Sequence, residues 1–152
     1  MERSLFFLPE YLSAFPFLFP EKNNHIFVGR KEDPVDTFGF CKKMKDEGKI
    51  KKLGLSTHAN AEFLDNILKE HPEMEFVQLQ INYLDWENPG VESRKCYEVA
   101  RKHHKPIIIM EPVKGGTLAQ LPEEAEAIFR ALRPDDTPAQ WALRFVQSLP
   151  GV

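Results

Sequence analysis

Cysteine is scarce in this 152-residue sequence, and neither sign of charge dominates it. The two cysteines, Cys41 and Cys96, are far apart and form no CxxC pair, so we expect neither a disulfide framework nor a bound metal. The net charge is -3, from 20 basic and 23 acidic residues. So small a charge gives no electrostatic footprint for nucleic acid or an anionic membrane, and we expect neither as a partner. Free cysteines favour a reducing, cytoplasmic location.

The sequence also lacks an apolar run long enough to cross a membrane. Residues 5–19 are strongly apolar, but two prolines and a glutamate interrupt them, and the run is shorter than the ~20 residues that a spanning helix needs. No basic segment precedes it and no small-residue cleavage site follows it, which argues against a signal peptide. Eight of the 12 phenylalanines lie within the first 40 residues. This bias separates a Phe-rich segment, residues 1–35, from a regular domain over residues 36–152.

Within the regular domain, predicted strands alternate with predicted helices. The strands cover residues 50–56, 76–82 and 106–110, and helices precede, separate and follow them. Helices of 10–15 residues between strands predict right-handed βαβ units and a parallel sheet. The expected helix starts are marked by capping residues or by a proline in the first turn: Asp36, Asn60, Pro122 and Thr137.

A row of amides favours a (β/α)8 barrel over an open, doubly wound sheet. In the strand at 76–82, apolar residues alternate with Gln78, Gln80 and Asn82, so the three amides share one face. An open parallel sheet has helices on both faces, where three amides would be costly to bury. In a barrel the same side chains face the lumen. Because a complete barrel has eight strands in ~250 residues, we expect a partial (β/α)8 TIM barrel.

In such a barrel, functional residues lie at the carboxyl ends of the strands and in the loops that follow. This rule selects residues 56–58, 80–83 and 110–116. Their hydroxyl, imidazole and amide groups suit hydrogen bonding to a polar ring, and their glycine-containing turn suits phosphate oxygens. The sequence has no P-loop, no GxGxxG and no GxSxG motif, so hydrolase chemistry on Ser56 gains no support.

Four segments carry a resemblance to a known family. They are KMKDEGKIKKLGLSTH, FVQLQINYLDW, PIIIMEPVKGGTL and TPAQWALRFVQSLPGV. In order and spacing they resemble the aldo/keto reductase family, NAD(P)H-dependent oxidoreductases on a (β/α)8 barrel. The resemblance covers about residues 36–152 and matches the family's strands five to seven. It is strongest to the branch whose fuller members carry an iron–sulfur, ferredoxin-like cysteine cluster.

The resemblance implies a set of cofactor-binding residues. Ser56 and Gln80 match positions that hydrogen-bond the nicotinamide carboxamide, although Thr57 stands where members often have Asn. Met110 matches the position where many members stack an aromatic ring on the nicotinamide, and its thioether is a weaker partner. The loop that lies along the pyrophosphate is matched by Pro112, Val113, Lys114, Gly115 and Gly116.

The family's catalytic residues have no match here. Its Asp, Tyr and Lys come from the first three strands, and its His ends strand four. The segment Phe17-Leu18-Phe19 resembles that strand end, but Pro20 stands where the His should be. The resemblance therefore implies part of an oxidoreductase that passes hydride between NAD(P)H and a small carbonyl or alcohol substrate. Because the chain is then a fragment without the catalytic residues, we expect it to be inactive alone and to bind the cofactor weakly or not at all.

Other hypotheses remain open beside that one. The chain could be a non-catalytic nucleotide-binding or assembly module that pairs with a partner supplying the missing strands, or a degraded gene product without function. A partial parallel barrel has two open edges, and exposed edges favour pairing with another copy. We therefore also expect self-association.

Overall fold

The computed structural model describes residues 25–28 and 36–152, the former by their backbone. Its strands are β1 (His25–Val28), β2 (Lys52–Thr57), β3 (Phe76–Gln80) and β4 (Ile107–Met110). Its α-helices are α1 (Thr37–Asp46), α2 (Ala61–Glu70), α3 (Ser93–Lys102), α4 (Glu123–Leu132) and α5 (Pro138–Gln147). A kinked 3-10 segment, Lys114–Ala119, lies between β4 and α4.

The strands form one parallel sheet in the order β1-β2-β3-β4. Each strand therefore pairs with its sequence neighbour, as in a TIM barrel, whereas a doubly wound sheet reverses its order at a switch point. Within the described residues the sheet is not closed. The prediction of a partial barrel with parallel strands alternating with helices is confirmed.

β1 is a strand that the sequence pattern does not predict clearly. It lies inside the Phe-rich segment and pairs in parallel with β2, with Phe27 in register with Gly54. The segment Phe17-Leu18-Phe19, which resembles a strand end, lies outside the described residues. The rest of residues 1–35 does so too, apart from β1.

The helix starts follow the predicted capping residues. The side chains of Asp36 and Asn60 accept hydrogen bonds from the third residue of α1 and of α2, at 3.1 and 2.9 Å. Thr137 and Gln140 form a capping box at the start of α5. Such caps stabilise a helix by about 1 kcal/mol each, which is why they mark the starts so well. Pro122 is the N-cap of α4 and not its first helical residue.

The core lies between the sheet and α1, α2, α3 and α5. On β3, Val77 and Leu79 are at most 2% exposed, and Leu53 and Leu55 of β2 are buried beside them. α2 and α3 cover this layer with buried apolar side chains: Leu64, Ile67, Leu68, Cys96 and Ala100. The predicted alternation is confirmed, because Gln78 and Gln80 lie half-buried on the opposite face.

Aromatic side chains attach α4 and α5 to the rest of the domain. Phe145 of α5 meets Trp86 edge-to-face at 5.3 Å and Tyr83 at 6.2 Å. None of the side chains of α4 is buried, and its Phe129 stacks on Trp141 of α5 at 5.0 Å. α4 is therefore held mainly through one aromatic residue. None of the helices in residues 36–152 combines the length and the apolar character that crossing a bilayer requires.

Candidate functional site

The carboxyl ends of β2, β3 and β4 meet at one edge of the sheet. The register pairs Ser56 with Gln78, and Gln80 with Met110. Paired residues on parallel strands point to the same face. These four side chains therefore share the face away from the core, and the Gln78 amide nitrogen lies 3.6 Å from the Met110 sulfur as its donor. This is the face and the edge at which the sequence predicts the site.

A buried carboxylate organises this edge. Asp85 is fully buried in the turn after β3, and its Oδ2 accepts hydrogen bonds from Gln80 Nε2 and Asn82 Nδ2, both at 2.9 Å. Its Oδ1 pairs with Lys114 Nζ, from the loop after β4. The Asp85 backbone N–H donates to Asn82 Oδ1 at 2.9 Å. We call Gln80, Asn82, Asp85 and Lys114 the rim cluster.

The rim cluster keeps its carboxylate charged. Burial by itself would raise the pKa of Asp85, but the hydrogen bonds from Lys114, Asn82 and Gln80 outweigh it and hold that pKa below its ordinary value. A buried charge is tolerated when it is paired and its oxygens are hydrogen-bonded, and both conditions are met here. Asp85 is therefore an anion at neutral pH and acts only as an acceptor.

The loop over residues 111–116 follows β4 and carries the remaining predicted positions. Four of its residues have positive φ: Glu111 (56°), Lys114 (50°), Gly115 (58°) and Gly116 (95°). A left-handed backbone costs a residue other than glycine about 1–2 kcal/mol, so this loop needs support. The rim cluster supplies it, because Asn82 Nδ2 donates to the Glu111 carbonyl at 3.1 Å and Lys114 pairs with Asp85. Pro112 and Val113 lie half-buried in the same loop.

The residues at the end of β2 divide between the two faces. Ser56 lies half-buried on the side of the amides, whereas Thr57 is in register with Leu79 and is buried on the core side. The Thr57 hydroxyl accepts from the Ala59 N–H at 2.9 Å, so it caps the following turn and does not face the predicted site. His58 is exposed, and its Nδ1 lies 3.0 Å from Gln80 Oε1.

The structure thus brings Ser56, Gln80 and Met110 to one edge, with Pro112, Val113, Gly115 and Gly116 in the adjoining loop. Their roles as cofactor ligands stay predictions. The sequence reasoning missed Asp85, because an aspartate in a turn is typical of solvent-exposed loops. Its burial depends on Lys114, which lies 29 residues further along the chain. The available signal was the amide pair just before it, since buried amides need partners.

The described residues also form a groove away from this edge. A groove of about 230 Å³ runs between α4 and α5 and shares no residue with the rim cluster. Its lining is mostly polar: Glu126, Phe129, Arg130, Pro134, Asp135, Asp136, Thr137 and Pro138. Nowhere in the part of the chain that the structure describes do three His, Cys, Asp or Glu side chains converge as metal ligands would.

Comparison with protein-family models matches residues 19–152 to the Aldo/keto reductase family. The matched range covers more than four fifths of the chain and includes β1 together with all the later elements. A search of curated proteins found no match.

Proposed function

Because the chain belongs to the aldo/keto reductase family, we propose that it supplies the nicotinamide-binding part of an NAD(P)H-dependent oxidoreductase acting on carbonyl and alcohol groups. The observation that carries this proposal is the shared edge, where Gln80 and Met110 are in register and Ser56 lies on the same face, in register with Gln78. Ligands of TIM-barrel enzymes bind at this end of the strands.

The residues present at the edge fit the cofactor. A nicotinamide is a flat ring with a polar carboxamide, and the face offers a hydroxyl (Ser56), an amide (Gln80) and a soft thioether (Met110). The turns at Gly115 and Gly116 bring backbone close to the same edge without side chains in the way. Ser56 and Gln80 would hold the carboxamide, Met110 would pack on the ring, and residues 112–116 would lie along the pyrophosphate. When bound, the nicotinamide supplies the hydride.

The chain's own contribution is binding and orientation. We propose that proton transfer depends on residues that family members carry on strands one to four, and that the 152-residue chain alone does not turn over. General acid–base catalysis contributes ~10²–10⁴-fold, and the positioning of the second reactant contributes further. NADPH oxidation by the purified chain with simple aldehydes or quinones, abolished by Gln80→Ala, would overturn this part of the proposal.

A complementation experiment tests the oxidoreductase function directly. The chain is co-expressed with a polypeptide that carries the remaining strands, eight and one to four, of an active family member, and NADPH oxidation with a simple aldehyde is measured. We expect turnover only when both polypeptides are present, and its loss with Gln80→Ala but not with Asp65→Asn, a change between α2 and α3 and outside the rim cluster. Association of the two polypeptides without any turnover would contradict the proposed function.

A second candidate is a non-catalytic nucleotide-binding or assembly module that takes its missing strands from a partner. The described strands do not close into a barrel, and Ile108 on the face of the amides is 43% exposed; both observations favour this module. A micromolar dissociation constant for NADPH without turnover in the complementation experiment would favour this module over the enzyme.

Three finer proposals accompany both candidates. We propose a cytoplasmic location, because both cysteines are free and buried. We propose that the chain belongs to the branch whose fuller members carry the iron–sulfur cluster, because the four sequence segments resemble that branch. NADPH is the cofactor we propose to test first.

A further inference from the structure

Asp85 has no counterpart among the residues that the family resemblance assigns, yet it touches more of the site than any of them. Its two carboxylate oxygens bind side chains from three places: Gln80 at the end of β3, Asn82 in the turn, and Lys114 in the loop after β4. A fully buried carboxylate with three side-chain donors is costly to assemble, and removing Lys114, the cation among them, would leave its charge unpaired.

We propose that Asp85 is a positioning residue of the nicotinamide site. It turns the Gln80 amide so that Oε1 faces the ligand, and it anchors the loop over residues 111–116 through Lys114. The identity of the ligand rests on the proposed function. The orientation of Gln80 and the anchoring of the loop do not.

The orientation of Gln80 follows from the chemistry of its partner. An ionised carboxylate only accepts hydrogen bonds, so Gln80 must give Asp85 its Nε2. The group left on the other side is Oε1, which lies 3.0 Å from His58 Nδ1. A carbonyl oxygen has two lone pairs and can accept a second hydrogen bond. Gln80 therefore selects a ligand that offers an N–H, such as the carboxamide NH₂ of nicotinamide, over one with only a carbonyl there.

The anchoring of the loop follows from its backbone. Glu111 and Lys114 are left-handed although neither is glycine, a conformation that persists only where the surroundings fix it. Asn82 holds the first of these residues at its carbonyl, and Asp85 holds the second at its side chain. With Lys114 released, the loop keeps only one of its two anchors on the rim.

Three variants of the full chain separate the two effects. Asp85→Asn removes the carboxylate that fixes both Gln80 and the loop. Lys114→Gln releases the loop but leaves Asp85 to hold Gln80. Asp65→Asn is the matched control, because Asp65 also accepts from three side chains, Lys69, Lys102 and His103, but between α2 and α3.

The first measurement is hydrogen exchange by NMR in the absence of ligand. We expect Asp85→Asn to speed exchange of the Gln80 Nε2 protons by about tenfold or more, as for a lost hydrogen bond to a charged group. Exchange of the backbone amides in 113–118 should speed up in both Asp85→Asn and Lys114→Gln, and neither signal should change in Asp65→Asn. Unchanged Gln80 exchange in Asp85→Asn, or equal changes in Asp65→Asn, would overturn the proposal.

A comparison within the unaltered chain covers the case in which Asp85→Asn does not fold. Gln78 donates to a neutral sulfur at 3.6 Å, whereas Gln80 donates to a carboxylate at 2.9 Å. The Gln80 Nε2 protons should therefore exchange more slowly than those of Gln78. The reverse order would contradict the proposed role of Asp85.

The second measurement compares NADP⁺ with its 3-acetylpyridine analogue, in which an acetyl group replaces the carboxamide. We expect the analogue to bind roughly 3- to 10-fold more weakly to the unaltered chain and to Asp65→Asn, and the ratio to approach one in Asp85→Asn. Equal affinity in the unaltered chain would overturn the selection of an N–H donor. Absence of binding by either compound at about 10 mM, with the exchange results as expected, would contradict the proposed function and support the positioning role alone.

Discussion

The two thiols of the chain illustrate how burial sets the chemistry of single residues. Cys41 and Cys96 are 2% and 4% exposed, and both belong to the core cluster. Burial is the main cause that raises the pKa of Cys96 to about 11, with the nearby Glu92 adding to it. The reactive form of cysteine is the thiolate, so this position is a structural one.

We predict that Cys96 does not react with Ellman's reagent in the native chain at pH 8. At that pH only about one Cys96 side chain in a thousand is ionised, and its sulfur is also covered. The measurement is the release of the coloured thiol over an hour, with the chain in concentrated guanidinium chloride as the control in which both cysteines react. Rapid native labelling, mapped to Cys96 by mass spectrometry, would contradict the burial described here.

At the residue scale, the sequence located part of the candidate site. Ser56, Gln80 and Met110 could be placed at one edge because strand ends are local features and parallel strands align them. Asp85 could not, since its role depends on a contact with Lys114 that only the fold creates. Side chains alternate between the two faces of a strand, so Thr57 faces the core when Ser56 faces the amides. This orientation could have been predicted from the sequence.

At the scale of elements, one close approach fixes how β2 packs on β3. Gly54 is in register with Phe76, and the Phe76 ring lies where a side chain at residue 54 would begin. A Cβ on Gly54 would be 2.3 Å from two ring atoms. Gly54 is thus required for space, whereas Gly48, with φ of 72° and nothing within 4 Å of such a Cβ, is required for its backbone conformation.

We predict that Gly54→Ala lowers the free energy of unfolding by about 1–3 kcal/mol through overpacking. Gly48→Ala should cost about 1 kcal/mol through its left-handed backbone. Adding Phe76→Leu should recover part of the first loss and none of the second, which urea denaturation of the single and double variants can measure. Strictly additive effects of Gly54→Ala and Phe76→Leu would show that the ring does not occupy that space.

The packing of α2 against α3 includes an ionic cluster centred on Asp65. Its carboxylate accepts from Lys69 at 2.5 Å, His103 at 2.7 Å and Lys102 at 2.9 Å. The hydrogen bonds from Lys69, then His103 and Lys102, hold the pKa of Asp65 far below its ordinary value. A depressed folded pKa contributes stability above the unfolded value of about 3.9, and that contribution is lost as the pH falls through the folded pKa.

We predict that Asp65→Asn is less stable than the unaltered chain at pH 6, and that the difference shrinks as the pH is lowered from 4 towards 3. Urea unfolding of both proteins across this range is the measurement. A difference that stays constant or grows on acidification would contradict the ionic role of Asp65.

Element boundaries were predictable where a local side chain sets them. Asp36, Asn60 and Thr137 cap their helices as expected, because a cap acts within three residues. β3 ends at Gln80 and not at Asn82, since Asn82 hydrogen-bonds into the turn with Asp85. α3 begins at Ser93, after Glu92, which has left-handed φ and accepts from the Ala61 N–H.

At the scale of the whole molecule, the described sheet has two outermost strands, β1 and β4, each paired on one side only. β1 pairs with β2 alone, and β4 pairs with β3. The Ile107 N–H on the outer side of β4 donates to the Gly151 carbonyl at 3.1 Å. Backbone N–H groups alternate between the two sides of a strand, so the Ile109 N–H points to the same outer side as the Ile107 N–H. The three strands β2, β3 and β4 followed from the helix–strand alternation. β1 did not, because its pairing with β2 is not local.

We predict that the purified chain associates with further copies of itself. Open parallel edges and the exposed Ile108 favour pairing over a lone monomer of 17.6 kDa. Light scattering should give a mass above that of one chain, and hydrogen exchange should protect Ile109 only in the associated form. A compact monomer with a protected Ile109 amide and no binding of a dye for exposed apolar surface would contradict this prediction.

An NMR titration of the full chain with NADP⁺ shows directly whether the nicotinamide binds at the carboxyl ends of β2, β3 and β4. We predict saturable shifts confined to residues 56–58, 80–85 and 110–116, with a dissociation constant of about 1 mM or weaker, because contacts to one end of a dinucleotide leave much of the association entropy uncompensated. Shifts confined to the groove between α4 and α5, or no shifts at the edge of β2, β3 and β4, would contradict the placement of a nicotinamide site there.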